Sequence, residues 1–460
     1  MSSAELPDLR TREEIHGYLK DLSSQLGLSL SDPQFAVALD SRDQLKKLRE
    51  EFNIPKIGEL LEGRAKADGL DLSAECIYLV GNSLGLQPKN AKELLSIEMD
   101  KWGKKGLYGH MDGTYDWYSI DDFVKDENAR IVGAKPIETV VMNTLSVNCH
   151  LAMVSFYSPT PQRYKILMEK DAFPSDHFVV ESQLNFHGYD PKEAAIYIKP
   201  REGESIWRNE DILNVIEEHG ESIALIWLPG IHFSTGHVFD MKSITEAGHA
   251  KGCYVGFDLA HAAGNIEMSL HEWGVDVAAW CSYKYMNSGP GCLAGFFVHE
   301  KHAYDFDRPR FVGWWAHSSD TRMDMKRKIQ LAPGADGFKI SNPPTLSIMG
   351  MIASMEIFKK TSMAELCIKS RILTGYLELL IEENLSSHVT IVTSRNVSER
   401  GCQLSVKFSC PLEDITKFVK ERGVMIDCRS PMMRIAPAPL YNSFSDIQAF
   451  YTILLQAFDT

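Results

Sequence analysis

Asp258 and Lys284 stand 26 positions apart, each at the close of an apolar run: Val255-Gly-Phe-Asp-Leu-Ala-His261 ends the first and Trp280-Cys-Ser-Tyr-Lys-Tyr285 the second. If the two runs are parallel neighbouring strands, the carboxylate and the amine emerge at one edge of a sheet, where open α/β sheets bind ligands. That pair suits pyridoxal phosphate. A lysine amine forms a Schiff base with the cofactor aldehyde, and a carboxylate keeps the ring nitrogen protonated so that the ring accepts electrons from a carbanion. An opposite charge at about 4 Å is worth roughly 4 kcal/mol at an effective dielectric near 20, enough to move the ring pKa by more than about two units. His261 follows the aspartate by three residues, Tyr283 precedes the lysine, and Asn287 to Gly291 forms a glycine turn that lets backbone approach a ligand closely.

The elements that must position this pair are short β-rich runs alternating with helical patterns: Thr139 to Asn143, Tyr164 to Glu169, Ala195 to Ile198, Ser222 to Leu228, Cys253 to Asp258, Val277 to Ser282 and Leu293 to His299. Amphipathic stretches such as Asn209 to His219, with Ile212, Leu213, Val215 and Ile216 on one face, predict crossover helices over a seven-stranded, mostly parallel sheet. The fold class is therefore α/β, with a large domain over 98–344. The chain ends read differently: a polar helical stretch at Asp43 to Glu51, a short strand at Ile77 to Val80 before the turn Gly81 to Gly85, a helix from Thr345 to about Lys359, and a strand at Gln403 to Phe408. They predict a smaller α+β domain built from 1–97 and 345–460.

With 44% hydrophobic residues and 10% aromatics the chain can bury a large core, and a net charge of -14 argues against nucleic acid and anionic membrane as partners. Nine cysteines without a Cys-x-x-Cys pair argue against a disulfide framework or structural zinc and fit a reducing cytoplasm. The N-terminal residues lack a basic segment leading into an apolar one, and no stretch approaches 18 uninterrupted apolar residues, so neither secretion nor membrane spanning is expected. His299-Glu-Lys-His302 lacks the i, i+4 spacing of a zinc-binding helix and reads as a strand end.

Blocks along most of the chain carry a resemblance. Tyr78-Leu-Val-Gly-Asn-Ser-Leu-Gly-Leu86, Tyr108-Gly-His110, Ala172-Phe-Pro-Ser-Asp-His177, the stretch Cys253 to Lys301, Val312-Gly-Trp314, Ile340-Ser-Asn-Pro-Pro344 and Arg434-Ile-Ala-Pro437 are similar to fold-type I pyridoxal phosphate enzymes. Within these they resemble the kynureninase family, in its eukaryotic form. The resemblance implies hydrolysis of the Cβ–Cγ bond of L-kynurenine or 3-hydroxykynurenine to L-alanine plus anthranilate or 3-hydroxyanthranilate, in tryptophan breakdown and NAD synthesis. It also implies a cytoplasmic homodimer.

The resemblance assigns expected roles to individual residues. Lys284 holds the cofactor and moves the Cα proton, and Asp258 pairs with the ring nitrogen; Tyr283 matches a group near the phosphate, and a phenol there, able to exchange protons with it, is the expected acid that protonates Cβ. Leu145 and Ser146 match a phosphate-binding pair, at a helix start where free N–H groups and the dipole attract an anion; Ser146 would equally serve as a plain N-cap of a helix over Val147 to Phe156. Phe173, Pro174, Ser175 and Asp176 match the cofactor-side run, although Asp176 could be simple capping chemistry. His261 matches a cofactor neighbour or else is a structural histidine. Trp314 matches a group near the phosphate, with ordinary burial as the competing account. Ser83, His110 and Asn342 match substrate-side positions, Asn342 also lying near the cofactor, and His110 with Asn342 points to a preference for 3-hydroxykynurenine. Arg434 is the candidate for the substrate α-carboxylate, because a guanidinium fork binds both oxygens; an ion pair is the alternative. No metal is expected. Pro229, Pro290 and Ser234 are places where the chain departs from, or varies within, the family pattern. Another fold-type I activity, a class V aminotransferase or cysteine desulfurase, would share the Asp258 and Lys284 logic, and a catalytically silent scaffold is the remaining alternative.

Overall fold

A computed structural model describes residues 5–458. Two compact units emerge: Met1–Lys89, Ser234–Val238 and Lys360–Thr460 form one, and Asn90–Phe233 with Phe239–Lys359 forms the larger. The divisions fall elsewhere than at 98 and 345. Helix Ala91–Lys105 packs against helix Thr345–Phe358 inside the larger unit, where Asn90 Nδ2 donates to Glu356 at 2.6 Å, so both helices leave the smaller one.

The larger unit is a seven-stranded sheet of β1 (Thr139–Met142), β2 (Lys165–Glu169), β3 (Ala195–Ile198), β4 (Ile223–Pro229), β5 (Tyr254–Asp258), β6 (Val277–Cys281) and β7 (Ala294–Val298), in the order β1-β7-β6-β5-β4-β2-β3. Six strands run one way. β7 alone is antiparallel to both its neighbours, while β2 to β6 pair in parallel. The strands are apolar on both faces because helices cover both: β1, β6 and β7 are wholly buried. On one face Leu151, Met153 and Phe156 of helix Leu145–Phe156, with Val179, Val180 and Leu184 of helix Pro174–Phe186, pack onto Ile166, Leu225, Val277 and Phe296. The predicted helix over Asn209–His219 forms, burying Ile212 and Ile216.

The smaller unit holds a four-stranded antiparallel sheet of β8 (Val389–Ile391), β9 (Leu404–Phe408), β10 (Asp427–Arg429) and β11 (Met432–Ile435), ordered β8-β9-β11-β10. Helices Arg12–Leu26, Met363–Asn384 and Phe444–Gln456 supply its core through residues such as Leu19, Tyr376 and Phe450. The strand expected at Ile77 to Val80 is a two-residue pairing, Ile77–Tyr78 parallel to Val424–Met425. Asp43 to Glu51 is not an α-helix but a 3-10 turn over Lys46–Glu51. Segment Ser234–Val238 docks on this sheet: Ser405 Oγ donates to the Ser234 carbonyl at 2.6 Å, Thr393 Oγ1 to that of Thr235 at 2.5 Å, and the Val238 N–H to Glu399 at 2.8 Å.

Candidate active site

Asp258 is the last residue of β5, and Asp176 lies in the first turn of helix Pro174–Phe186. Both carboxyls are buried, and with the Cys149 thiol their polar atoms lie within 4.8 Å of one another. Burial raises both carboxyls, and the charge of Asp258 raises Asp176 further. Asp258 Oδ1 also accepts the Ala260 N–H at 2.7 Å, and Asp176 Oδ1 accepts the Trp227 indole N–H at 3.0 Å. Trp227 has room only because β5 carries Gly256 beside it; a Cβ there would stand 2.8 Å from the indole ring. The result is a pair of buried carboxyls, suited to hold a cationic ring nitrogen.

Lys284 follows the end of β6, the parallel neighbour of β5, so it emerges at the same sheet edge as Asp258. Its Nζ lies 3.0 Å from His261 Nε2 and 6.0 Å from the centre of the Phe173 ring. His261 is thus a neighbour of the amine, while its carbonyl accepts from Asn265 at 2.9 Å. Phe173, the residue before helix Pro174–Phe186, leaves 46% of its surface exposed and meets Phe233 edge-on. An exposed aromatic face beside an amine can stack on a flat ring. Tyr283 is half-buried, and burial first, then nearby Cys281, pushes its phenol up, so it stays a proton donor. The turn after the lysine is braced by helix Thr345–Phe358: Ser354 Oγ donates to the Met286 carbonyl, and a Cβ on Gly350 would stand 2.3 Å from the Ser288 oxygen.

The phosphate-side prediction changes in detail. The helix begins at Leu145 with Thr144 as its N-cap, so Ser146 is not a cap but a first-turn residue. Its Oγ lies 2.6 Å from Ser175 Oγ, which sits beside Pro174 in the first turn of the second helix. Two helix starts therefore converge, each with N–H groups that have no carbonyl one turn earlier to bind. Such an arrangement is suited to an anion.

His110 and Trp314 share one aromatic cluster of the larger unit, and Asn342 belongs to the same unit by chain segment. His110 Nδ1 lies 3.0 Å from the Leu107 carbonyl and its ring meets Trp117 and Tyr118; Tyr118 stacks on Trp315, which Trp314 meets edge-on. The indole N–H of Trp314 donates to the Arg322 carbonyl at 3.3 Å. Asn342 is exposed and accepts from Ser341 at 3.2 Å. Ser83 and Arg434 belong to the smaller unit, where Arg434 Nη2 donates to Ser83 Oγ at 3.0 Å and to Asp427 Oδ2. Asn82 Nδ2 ties the same turn to Gln403 at 2.8 Å. Sequence reasoning missed Asp427, Trp227 and Cys149. For Asp427 a signal existed, since Asp427-Cys-Arg429 and Arg434 flank a tight turn, Ser430 to Pro431, with the acid and the later arginine in hairpin register.

A lysine and a buried carboxylate pair at one edge of a sheet with this strand order define the class: the fold is that of the fold-type I pyridoxal phosphate enzymes. Solved structures agree on the fold. A cysteine desulfurase from Thermococcus onnurineus matches with a TM-score of 0.66 at 16% identity, covering 84% of this chain and 96% of that one. C-DES with glycine covalently linked to its PLP cofactor matches at 0.67 and 15%, covering 83% and 97%. The family follows from closer relatives. Kynureninase from Nematostella vectensis is 48% identical over 96% of this chain and 97% of its own, that of Homo sapiens 49% over 95% and 96%, and that of Myxococcus xanthus 49% over 91% and 96%. A family model described as the kynureninase C-terminal domain matches residues 366–454. The chain belongs to the kynureninase family.

Proposed function

We propose that this protein uses pyridoxal phosphate to hydrolyse the Cβ–Cγ bond of kynurenine and, preferentially, of 3-hydroxykynurenine, releasing alanine and anthranilate or 3-hydroxyanthranilate. One observation carries the reading: Lys284, Tyr283, Asp258, Asp176, Ser146 and Arg434 are all present in a chain 48% identical to a kynureninase over nearly its whole length. When bound, the cofactor supplies an electron sink for negative charge developed at the substrate's carbons.

The residues divide the remaining work. Asp258, backed by the proton of Asp176, holds a proton on the ring nitrogen; Phe173 orients the ring; Leu145, Ser146, Pro174 and Ser175 at the two helix starts hold the phosphate. Trp314 and Asn342 are assigned to the cofactor's periphery. Lys284 carries the cofactor and then moves the substrate Cα proton, with His261 beside its amine. Water adds to the γ-carbonyl, the Cβ–Cγ bond breaks with its electron pair on Cβ, and Tyr283 delivers the proton that Cβ needs. Arg434 and Ser83 bind the α-carboxylate. His110 and Asn342 favour the 3-hydroxyl, a reading that rests on those side chains, because identity to the bacterial relative is as high as to the human one.

A cytoplasmic homodimer working in tryptophan breakdown and NAD synthesis belongs to the same proposal. The dimer is supported by apolar side chains left exposed on the larger unit, among them Leu107, Tyr108 and Met111 at 76%, 73% and 68%. Among the described residues no helix is long and apolar enough to cross a membrane. The test is to reconstitute the protein with pyridoxal phosphate, supply each substrate without a keto acid, and separate the products. Equimolar alanine and 3-hydroxyanthranilate, with the higher kcat/KM for 3-hydroxykynurenine, is expected. Turnover only with a keto acid, or a preference for kynurenine, overturns the corresponding part.

A further inference from the structure

Arg434 sits in β11, between β9 and β10, opposite Ser405 on one side and Asp427 on the other. Its side chain is 2% exposed. A guanidinium that cannot lose its proton and is removed from water must keep an anion beside it at all times. In this structure Asp427 is such an anion. Asp427 Oδ2 accepts from Arg434 Nη2 and from the Ser83 hydroxyl, and its Oδ1 accepts from Arg429 Nη1 at 2.8 Å. One carboxylate therefore ties together both residues assigned to the substrate carboxylate, and leans on a third, half-exposed cation, Arg429.

The geometry of a guanidinium decides what this means. Its two forks for a carboxylate are the Nε/Nη2 side and the Nη1/Nη2 end, and both include Nη2. Nη2 carries two hydrogens, and its partners are Ser83 Oγ and Asp427 Oδ2. A substrate carboxylate cannot take either fork while both bonds persist. Two carboxylates on one cation also repel each other.

We propose that Asp427 is a positioning residue that stands in for the substrate's α-carboxylate: it holds Arg434 and Ser83 in place in the free enzyme and yields Nη2 when substrate arrives, swinging onto Arg429. The exchange keeps the buried guanidinium paired in both states. It also makes Asp427 an internal competitor, so the free energy of its ion pair is subtracted from the apparent affinity for substrate. The inference rests on the assignment of Arg434 to the α-carboxylate.

The test compares KM and kcat for kynurenine in the cofactor-loaded enzyme and three variants. Asp427→Asn keeps an acceptor for Ser83 but removes the competing charge of a buried pair; KM is expected to fall by about threefold or more, with kcat within about twofold. Arg429→Gln removes the resting place of Asp427 from an exposed position, and KM is expected to rise by a similar factor. Arg434→Gln raises KM if the underlying assignment holds. An unchanged or higher KM in Asp427→Asn, or a KM that moves the same way in Asp427→Asn and Arg429→Gln, overturns the exchange while leaving the assignment of Arg434 intact. An unchanged KM in Arg434→Gln overturns both. Should Asp427→Asn not fold, Arg429→Gln alone decides: a KM that does not rise refutes the proposal.

Discussion

Replacing Asp276 by Asn is expected to loosen the larger unit without altering its chemistry. Asp276 lies just before β6, at the opposite end of that strand from Lys284, with its side chain 2% exposed. Four donors converge on it: His249 Nε2 at 2.8 Å and the Val255 N–H at 2.8 Å on Oδ2, and His302 Nε2 at 2.8 Å and Lys301 Nζ at 2.7 Å on Oδ1. Burial alone would raise this carboxyl; the two histidine hydrogen bonds and the lysine charge overcome it and hold it far below the usual range. An Asn offers one acceptor oxygen and turns an N–H₂ toward donors, so the variant breaks a buried charged network, a loss of about 3–5 kcal/mol. At about 2–4 °C per kcal/mol for a unit of this size, the melting temperature falls by about 10 °C. The pH dependence has a definite sign. A carboxyl depressed in the folded state contributes stability that is fully present above its unfolded value near 3.9 and is lost as pH falls below that, toward the folded value. The gap between parent and variant therefore persists from neutral pH down to about pH 5 and narrows only below about pH 4. Thermal melts across that range, paired with kcat well below the transition, provide the assay. A melting shift under about 2 °C, a gap that closes between pH 7 and pH 5, or a loss of kcat in the still-folded variant would refute the reasoning.

Other outcomes follow from single contacts. Trp227→Phe removes the indole donor from Asp176, leaving the shared charge of the dyad less well held; the dissociation constant for pyridoxal phosphate, read by titration, is expected to rise by about tenfold, the worth of one hydrogen bond to a charged pair, and an unchanged constant counts against the dyad as ring-nitrogen partner. Gly350→Ala places a Cβ 2.3 Å from the Ser288 carbonyl oxygen, a backbone atom that cannot step aside; a stability loss of about 1–3 kcal/mol together with a lower kcat is expected from melts and rates, and full kcat would separate the turn from the placement of Lys284. Tyr283→Phe keeps the ring but removes the proton donor; kcat is expected to fall by about a hundredfold or more, while exchange of the substrate Cα proton with deuterated water, followed by NMR, continues, and equal loss of both contradicts the assignment.

How much was legible depends on the range of the signal. The strands could be read because each is a short apolar run, and the site edge because Asp258 and Lys284 end neighbouring runs. The direction of β7 was not read, since an apolar run looks the same either way; yet the twelve residues between Cys281 and Ala294 contain a glycine turn and no helical pattern, too little for a crossover. Long-range partners left no trace. Trp227 meets Asp176 from 51 positions away and Ser83 meets Asp427 from 344, distances over which no periodicity survives. Segment Ser234–Val238 belongs to the smaller unit for a similar reason: its own residues are ordinary, and Thr393, Ser405 and Glu399 hold it there. The plain N-cap reading of Ser146 does not hold, because Thr144, two positions earlier, has the extended backbone of an N-cap. His299 to His302 is a strand end followed by a 3-10 turn, and its second histidine serves Asp276.

The central claim is that Lys284 is the lysine that carries the cofactor for this hydrolysis. Reductive trapping of the cofactor aldehyde with borohydride, followed by peptide mapping, tests it directly, with Lys284→Ala alongside. The account predicts the pyridoxyl label on the peptide containing Lys284, release of alanine abolished in proportion to labelling, and no label with at least a thousandfold lower kcat, roughly the scale of losing an essential acid–base group, in the variant. A label on another lysine, or a Lys284→Ala enzyme that still releases alanine at the parent rate, would contradict it.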